Sequence, residues 1–251
     1  VYVPAGEGPH PVLVFVHGGG WILGDRQQPG GNYAKLGKRL ANQGVVAMVI
    51  SYRLAPWSRH PAQIRDTARA LSWALQHAPE YGGDPGAVFA MGHSAGAHLV
   101  ALAACDKRWL GEWGASPAQL AGAITVSGPY DVEHFGRALF IGGLPMVIPT
   151  FGRDVSVWRD VMPARHLREG RPPPFLVAWA DGDPELLRRD GARFTAALEA
   201  AQVPVESYES SFDDHLSVIT DFADSGNALG KKVLRFMQQR RLELQRDVTL
   251  Q

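Results

Sequence analysis

The stretch Gly92-His93-Ser94-Ala95-Gly96 constrains this chain more than any other. The apolar run Ala87-Val88-Phe89-Ala90-Met91 precedes it, and a helical pattern, Ala97-His98-Leu99-Val100-Ala101-Leu102, follows. A strand that passes straight into a helix needs a sharp turn with one strained residue at its tip. Glycine on both sides leaves room where a Cβ would clash. The pattern predicts that Ser94 stands at the tip, its hydroxyl held over the end of a sheet as a candidate nucleophile. A plain Gly/Ser turn is the alternative reading of the same residues.

A second motif points the same way. His17-Gly18-Gly19-Gly20-Trp21 follows the strand pattern Val12–Val16. Consecutive glycines cost backbone entropy unless the chain must bend or let a ligand approach its N–H groups. Acyl transfer needs such donors aimed at the oxyanion of its tetrahedral intermediate. The predicted donors are the N–H groups of Gly19, Gly20 and Ala95; a flexible glycine loop is the alternative. His17 reads as a structural histidine that fixes the loop rather than as a base.

Apolar and helical segments alternate along the chain. Strands are expected at Val12–Val16, Val45–Ile50, Ala87–Met91, Gly122–Val126, Phe175–Ala180 and Val205–Glu209. Helices are expected at Asn32–Gln43, Pro61–His77, Ala95–Cys105, Arg188–Ala201 and Ser225–Arg241. The alternation implies an α/β fold with a doubly wound, mostly parallel sheet and helices on both faces. With 251 residues, 45% of them hydrophobic, one domain over residues 1–251 is expected. The connection over residues 133–174 is too long for a plain crossover. It reads as a short lid-like insertion or pocket wall, or else as a packing insertion with a short helix.

Zero formal net charge, with no basic stripe, argues against a nucleic-acid partner. No apolar run approaches the ~20 residues that cross a bilayer, so no membrane association is expected. The single cysteine, Cys105, rules out an intrachain disulfide, sits on an apolar helix pattern and suits a cytoplasmic setting. Val1-Tyr2-Val3-Pro4 looks like the tail of a strand already under way, which leaves a preceding segment or signal peptide open.

A serine nucleophile needs a base, and the base an orienting carboxylate. Of the histidines after Ser94, His98 lies on the elbow helix, and His134 and His166 lie in the insertion. Only His215 follows the last strand, which makes it the expected base. The expected acid is Asp183, placed by Pro184 after the strand Phe175–Ala180, with Asp181 as runner-up. Asp213 and Asp214 read as a surface charge run. Tyr52 and Arg53 read as a structural loop more than as substrate contacts, and Asp66 as an ion-pair partner of Arg53 or Arg69. Trp21 and Trp57 read either as pocket lining or as core aromatics, Trp21 being the candidate substrate-binding residue. No spacing suggests a metal site, phosphate loop or dinucleotide fingerprint, so no cofactor is expected.

Together these residues resemble the α/β-hydrolases of the hormone-sensitive-lipase-like esterase group. That group combines an H-G-G-G loop, here His17–Gly20, with a G-x-S-A-G elbow, a Y-R-L-A-P stretch, here Tyr52–Pro56, and a D-P acid motif, here Asp183-Pro184. Gly92–Leu99 and Asp214-His215 are also similar to kynurenine formamidase (arylformamidase) and to small bacterial carboxylesterases, although formamidases carry a bulky residue where this chain has Gly20. The resemblance implies a cofactor-free serine carboxylesterase acting on small-molecule short-acyl or aryl esters. Aryl formamide hydrolysis is the alternative, and a non-catalytic binding protein on the same fold is the rival of another class. A homodimer is left open.

Overall fold

Runs of apolar residues with no polar face form strands that are covered on both sides. The computed structural model of the chain describes residues 1–28, 30–138, 143–224 and 226–249. Its strands are β1 (His10–Val16), β2 (Val46–Ile50), β3 (Gly83–His93), β4 (Gly122–Val126), β5 (Phe175–Ala180) and β6 (Val205–Ser210). They form one sheet in the order β2-β1-β3-β4-β5-β6, and every neighbouring pair is parallel. The chain steps outward from β1 to β2, then back across β1 to β3. Such a reversal leaves a crevice at the carboxyl ends of the strands.

The helices are α1 (Asn32–Asn42), α2 (Ala62–His77), α3 (Ala95–Cys105), α4 (Lys107–Gly111), α5 (Val132–Arg137), α6 (Gly143–Phe151), α7 (Val155–Asp160), α8 (Leu167–Gly170), α9 (Glu185–Ala200), α10 (Ser217–Thr220) and α11 (Ala228–Thr249). Successive strand residues point to opposite faces, so each strand feeds two cores. Val12, Val14, Val16, Val88 and Ala90 pack with Ile64 and Leu71 of α2, Leu99 and Leu102 of α3 and Phe194 of α9. Leu13, Phe15, Phe89, Met91 and Leu176 pack with Leu36 and Leu40 of α1 and with Val233 and Phe236 of α11. Each such side chain, fully buried, contributes about 1.5–3 kcal/mol.

Most elements fall where the sequence puts them, and the differences have local causes. β3 begins at Gly83, four residues early, because Gly83 pairs with His10 before a register shift. α9 begins at Glu185, directly after Pro184, whose fixed φ suits a helix start. The last helix runs Ala228–Thr249, and Ser225, the expected start, lies outside the described residues. So do residues 139–142 of the insertion. The rest of that connection is mostly helical: α5 and α6 form a wall of the cleft through Phe135 and Met146, while α8 meets the far end of α3, where Gly170 lies against the Cys105 carbonyl. The connection's Gly/Pro content hides a helix, since Pro145 falls in the first turn of α6, where its missing N–H has no intrahelical partner. At the other edge, Tyr2 makes a single antiparallel bridge to Ala47 of β2. No helix among the described residues is long and apolar enough to cross a membrane.

Candidate active site

The crevice at the carboxyl ends of β1 and β3 holds the serine. Ser94 joins β3 to α3 with φ 53° and ψ −122°, a conformation that L residues adopt only under constraint. The flanking glycines are forced by close approach. A Cβ on Gly92 would lie 2.3 Å from the Gly96 carbonyl oxygen, and one on Gly96 would lie 2.2 Å from the Val16 carbonyl oxygen. The elbow helix therefore packs backbone to backbone against β1.

Ser94 Oγ lies 3.0 Å from His215 Nε2, and His215 Nδ1 lies 2.6 Å from Asp183 Oδ1. The three residues come from the ends of β3, β5 and β6 and lie up to 121 positions apart. The Asp183 side chain is fully buried. Burial alone would raise its pKa, but hydrogen bonds from His215, from the Ser127 hydroxyl (2.6 Å) and from the Ala180 N–H (2.8 Å) outweigh it and hold the carboxyl below its usual value. With both oxygens so engaged, Asp183 fixes the Nδ1–H tautomer of His215 and leaves Nε2 to accept the serine proton.

Asp181, the runner-up, faces the other way. Its carboxylate accepts the N–H groups of Phe212 (2.9 Å) and Asp213 (3.2 Å), stapling the loop that carries His215 to the loop that carries Asp183. Asp213 and Asp214 are more than a charge run. Asp213 accepts the hydroxyls of Ser210 and Ser217, and Asp214 accepts the N–H groups of Leu216 and Ser217, so together they brace the base loop.

Gly19 and Gly20 line the same cleft as Ser94. Among the described residues, no backbone hydrogen bond engages the N–H of Gly19, Gly20 or Ala95. Ala95 opens α3, where an N–H has no intrahelical acceptor. His17 is buried under the loop: its Nδ1–H donates to the Gly18 carbonyl (2.7 Å), its ring stacks on Tyr52 at 4.3 Å, and burial lowers its pKa. The Tyr52 hydroxyl donates to the His17 carbonyl (3.1 Å). Arg53 pairs with Asp66 at 2.8 Å.

Trp21 does not line the cleft. It is wholly buried, edge-on to His98, Phe135 and Phe151, and is a core aromatic rather than a substrate contact. Trp57 stands 93% exposed, away from the cleft. Cys105 is buried, and burial raises its thiol pKa.

The cleft has a volume of about 570 Å³. Phe135 and Met146, from the helical wall, and Leu187 supply apolar lining; Gln28, Asn32, Tyr33 and Thr220 supply polar lining. Apart from the histidines, no residue lining it among those described is ionisable except Tyr33, and none is Lys, Arg, Asp or Glu. Two site residues escape a reading by motif. Ser127 is signalled only by its place at the end of β4, and His93 only by its place inside the pentapeptide. No group of three His, Cys, Asp or Glu side chains among the described residues is arranged to hold a metal ion.

The BD-FAE family model matches residues 1–198. Esterase LipC of Mycobacterium tuberculosis is 36% identical over 201 residues, covering 76% of this chain and 49% of that protein. The probable carboxylic ester hydrolase LipM of the same organism is 30% identical over 221 residues, covering 83% of this chain and 49% of that protein. The chain thus spans about half the length of these two relatives. Among solved structures, esterase B from Lactobacillus rhamnosis superposes with a TM-score of 0.80 at 22% identity, over 98% of this chain and 81% of that one, a likeness of fold.

Proposed function

Because this chain belongs to the BD-FAE family, we propose that it is a serine carboxylesterase cleaving short-acyl and aryl esters through an acyl-enzyme. The observation that carries the reading is the relay Ser94–His215–Asp183, hydrogen-bonded at 3.0 and 2.6 Å in an open cleft beside three unengaged N–H groups. A bound ester carbonyl accepts Ser94 Oγ while His215 Nε2 takes the hydroxyl proton. The oxyanion forms against the N–H groups of Gly19, Gly20 and Ala95. Asp183 holds the imidazolium through Nδ1–H. His215 then passes its proton to the leaving alkoxide, and the alcohol departs. A water gives a proton to the same nitrogen and attacks the acyl-enzyme, and collapse returns Ser94 and a carboxylic acid.

Aryl formamide hydrolysis is the weaker reading. N-Formylkynurenine carries a charged amino-acid end, and the described cleft lining offers it no Lys, Arg, Asp or Glu. Of the arginines that the sequence offers near these motifs, Arg53 is engaged by Asp66 and Arg137 by Glu133, and Arg153 does not line the cleft. The test is a panel on one preparation: p-nitrophenyl esters from C2 to C12, N-formylkynurenine, and labelling with a fluorophosphonate. The expected result is labelling lost in Ser94→Ala, with kcat/KM highest between C2 and C6. A formylkynurenine value tenfold above the best ester reassigns the substrate, and absence of both labelling and turnover rejects the hydrolase.

A further inference from the structure

We propose that His93 is a positioning residue for this reaction: its Nε2–H holds the main-chain carbonyl of His215 and so sets the height of the base over Ser94. The inference rests on the esterase reading above and adds a residue to it. His93 Nε2 lies 2.8 Å from the His215 carbonyl oxygen, a contact that joins the elbow to a loop 122 positions away. A carbonyl only accepts, so Nε2 must carry the proton.

The ring is 3% exposed, and its centroid lies 4.9 Å from that of His215. Burial, with the neighbouring His215 ring, pushes its pKa down to about 3, so it stays neutral and adds no positive charge beside the imidazolium that forms on His215. The ring also reaches the glycine loop: a Cβ on Gly18 would sit 2.9 Å from His93 Nδ1. His93 thus lies between the loop bearing the proposed oxyanion donors, the nucleophile and the base. Asp183 fixes which way the His215 ring faces, whereas His93 holds the His215 carbonyl itself, within a loop that Asp181, Asp213 and Asp214 brace on either side. A shift of about 1 Å in a reacting group costs up to about a hundredfold in rate.

Reach separates this role from mere packing. In Gln the amide nitrogen takes the place of Nε2, whereas in Asn it falls near Nδ1, short of the His215 carbonyl. His93→Gln should keep kcat for p-nitrophenyl acetate within about threefold of wild type. His93→Asn should lower kcat by about tenfold or more while KM stays within twofold, because ester binding does not need the base aligned. Equal kcat in the two variants, or a loss confined to KM, overturns the proposal. A second measurement needs no variant: ¹⁵N-detected NMR of the wild-type protein should show His93 as the neutral Nε2–H tautomer from pH 5 to 8. An Nδ1–H tautomer or a charged ring overturns the proposal even where His93→Asn fails to fold. Failure of the esterase reading itself is separable, since it appears as absent ester turnover in the wild type whatever the tautomer.

Discussion

Asp190 on α9 is a carboxylate that the fold handles badly, and its replacement by asparagine should stabilise the protein at alkaline pH. The residue is 5% exposed, and its Oδ2 accepts the Asp131 N–H at 2.8 Å. Burial raises its pKa from 3.8 to about 7; the N–H groups of Asp131 and Tyr130 and the charge of Arg193 oppose the rise, and the Asp131 carboxylate adds to it. A carboxyl raised in this way keeps its proton in the native chain at a pH where the unfolded chain has lost it. Unfolding then releases a proton, and stability falls as pH rises from the unfolded value near 4 to the folded value near 7, beyond which it levels off. The rise corresponds to roughly 4 kcal/mol, less than half of it gone by pH 5 and most of the rest by pH 8. The amide introduced by Asp190→Asn keeps an acceptor oxygen for the Asp131 N–H and does not ionise. Urea unfolding of wild type and Asp190→Asn at pH 5, 6, 7 and 8 should show the stability gap in favour of the variant widening by roughly 2–3 kcal/mol across that range. Any constant difference in packing cancels in this comparison. A gap that stays constant within about 0.5 kcal/mol would refute the reasoning and mean that Asp190 ionises normally in the fold.

The other expectations are quickly tested. Ser94→Ala should lower kcat for p-nitrophenyl acetate by about 10⁴ or more, His215→Ala nearly as much, and the double variant little further; a tenth of wild-type kcat surviving in either single variant would reject the relay. A Cβ on Gly20 would meet Met146 Sδ at 2.5 Å, so the thioether covers the glycine loop and, on the esterase reading, should limit the acyl chain. Met146→Ala should raise the ratio of kcat/KM for octanoate over acetate by about fourfold for each methylene newly received, and an unchanged ratio places the limit elsewhere. Gly96→Ala drives a Cβ into the Val16 carbonyl, 2.2 Å away and part of the sheet backbone, so it should cost more than about 3 kcal/mol or prevent folding. Wild-type Tm in that variant would contradict the close approach.

Much of the architecture is legible in the sequence because its causes are local. Val12–Val16 and Phe175–Ala180 lack a polar face and can only be strands covered on both sides, and the glycines around Ser94 announce a backbone crossing. Asp183 can be preferred to Asp181 because Pro184 marks the turn that aims it. What stays hidden depends on partners distant in sequence. Ser127 meets Asp183 across 56 positions, and nothing in its own neighbourhood foretells that contact. His93 occupies a position that the pentapeptide pattern leaves free. Trp21, next to the glycine loop, reads as lining because proximity in sequence suggests proximity to substrate; its φ of 62° instead turns it inward beneath α6. The wall itself is hard to read because Gly and Pro signal a loop, whereas Pro145 falls in the first turn of α6 and Pro149 is carried inside it.

The segment between β4 and β5 supplies Phe135 and Met146 to the cleft, yet among its described helical residues none hydrogen-bonds to Ser94, Asp183 or His215. Part of the cleft wall is therefore written apart from the relay, while Leu187 and Leu216 line the cleft from the same stretches as Asp183 and His215. A mutational library confined to codons 132–137 and 143–151 should vary the cleft wall that Phe135 and Met146 supply while leaving Ser94, Asp183 and His215 in place.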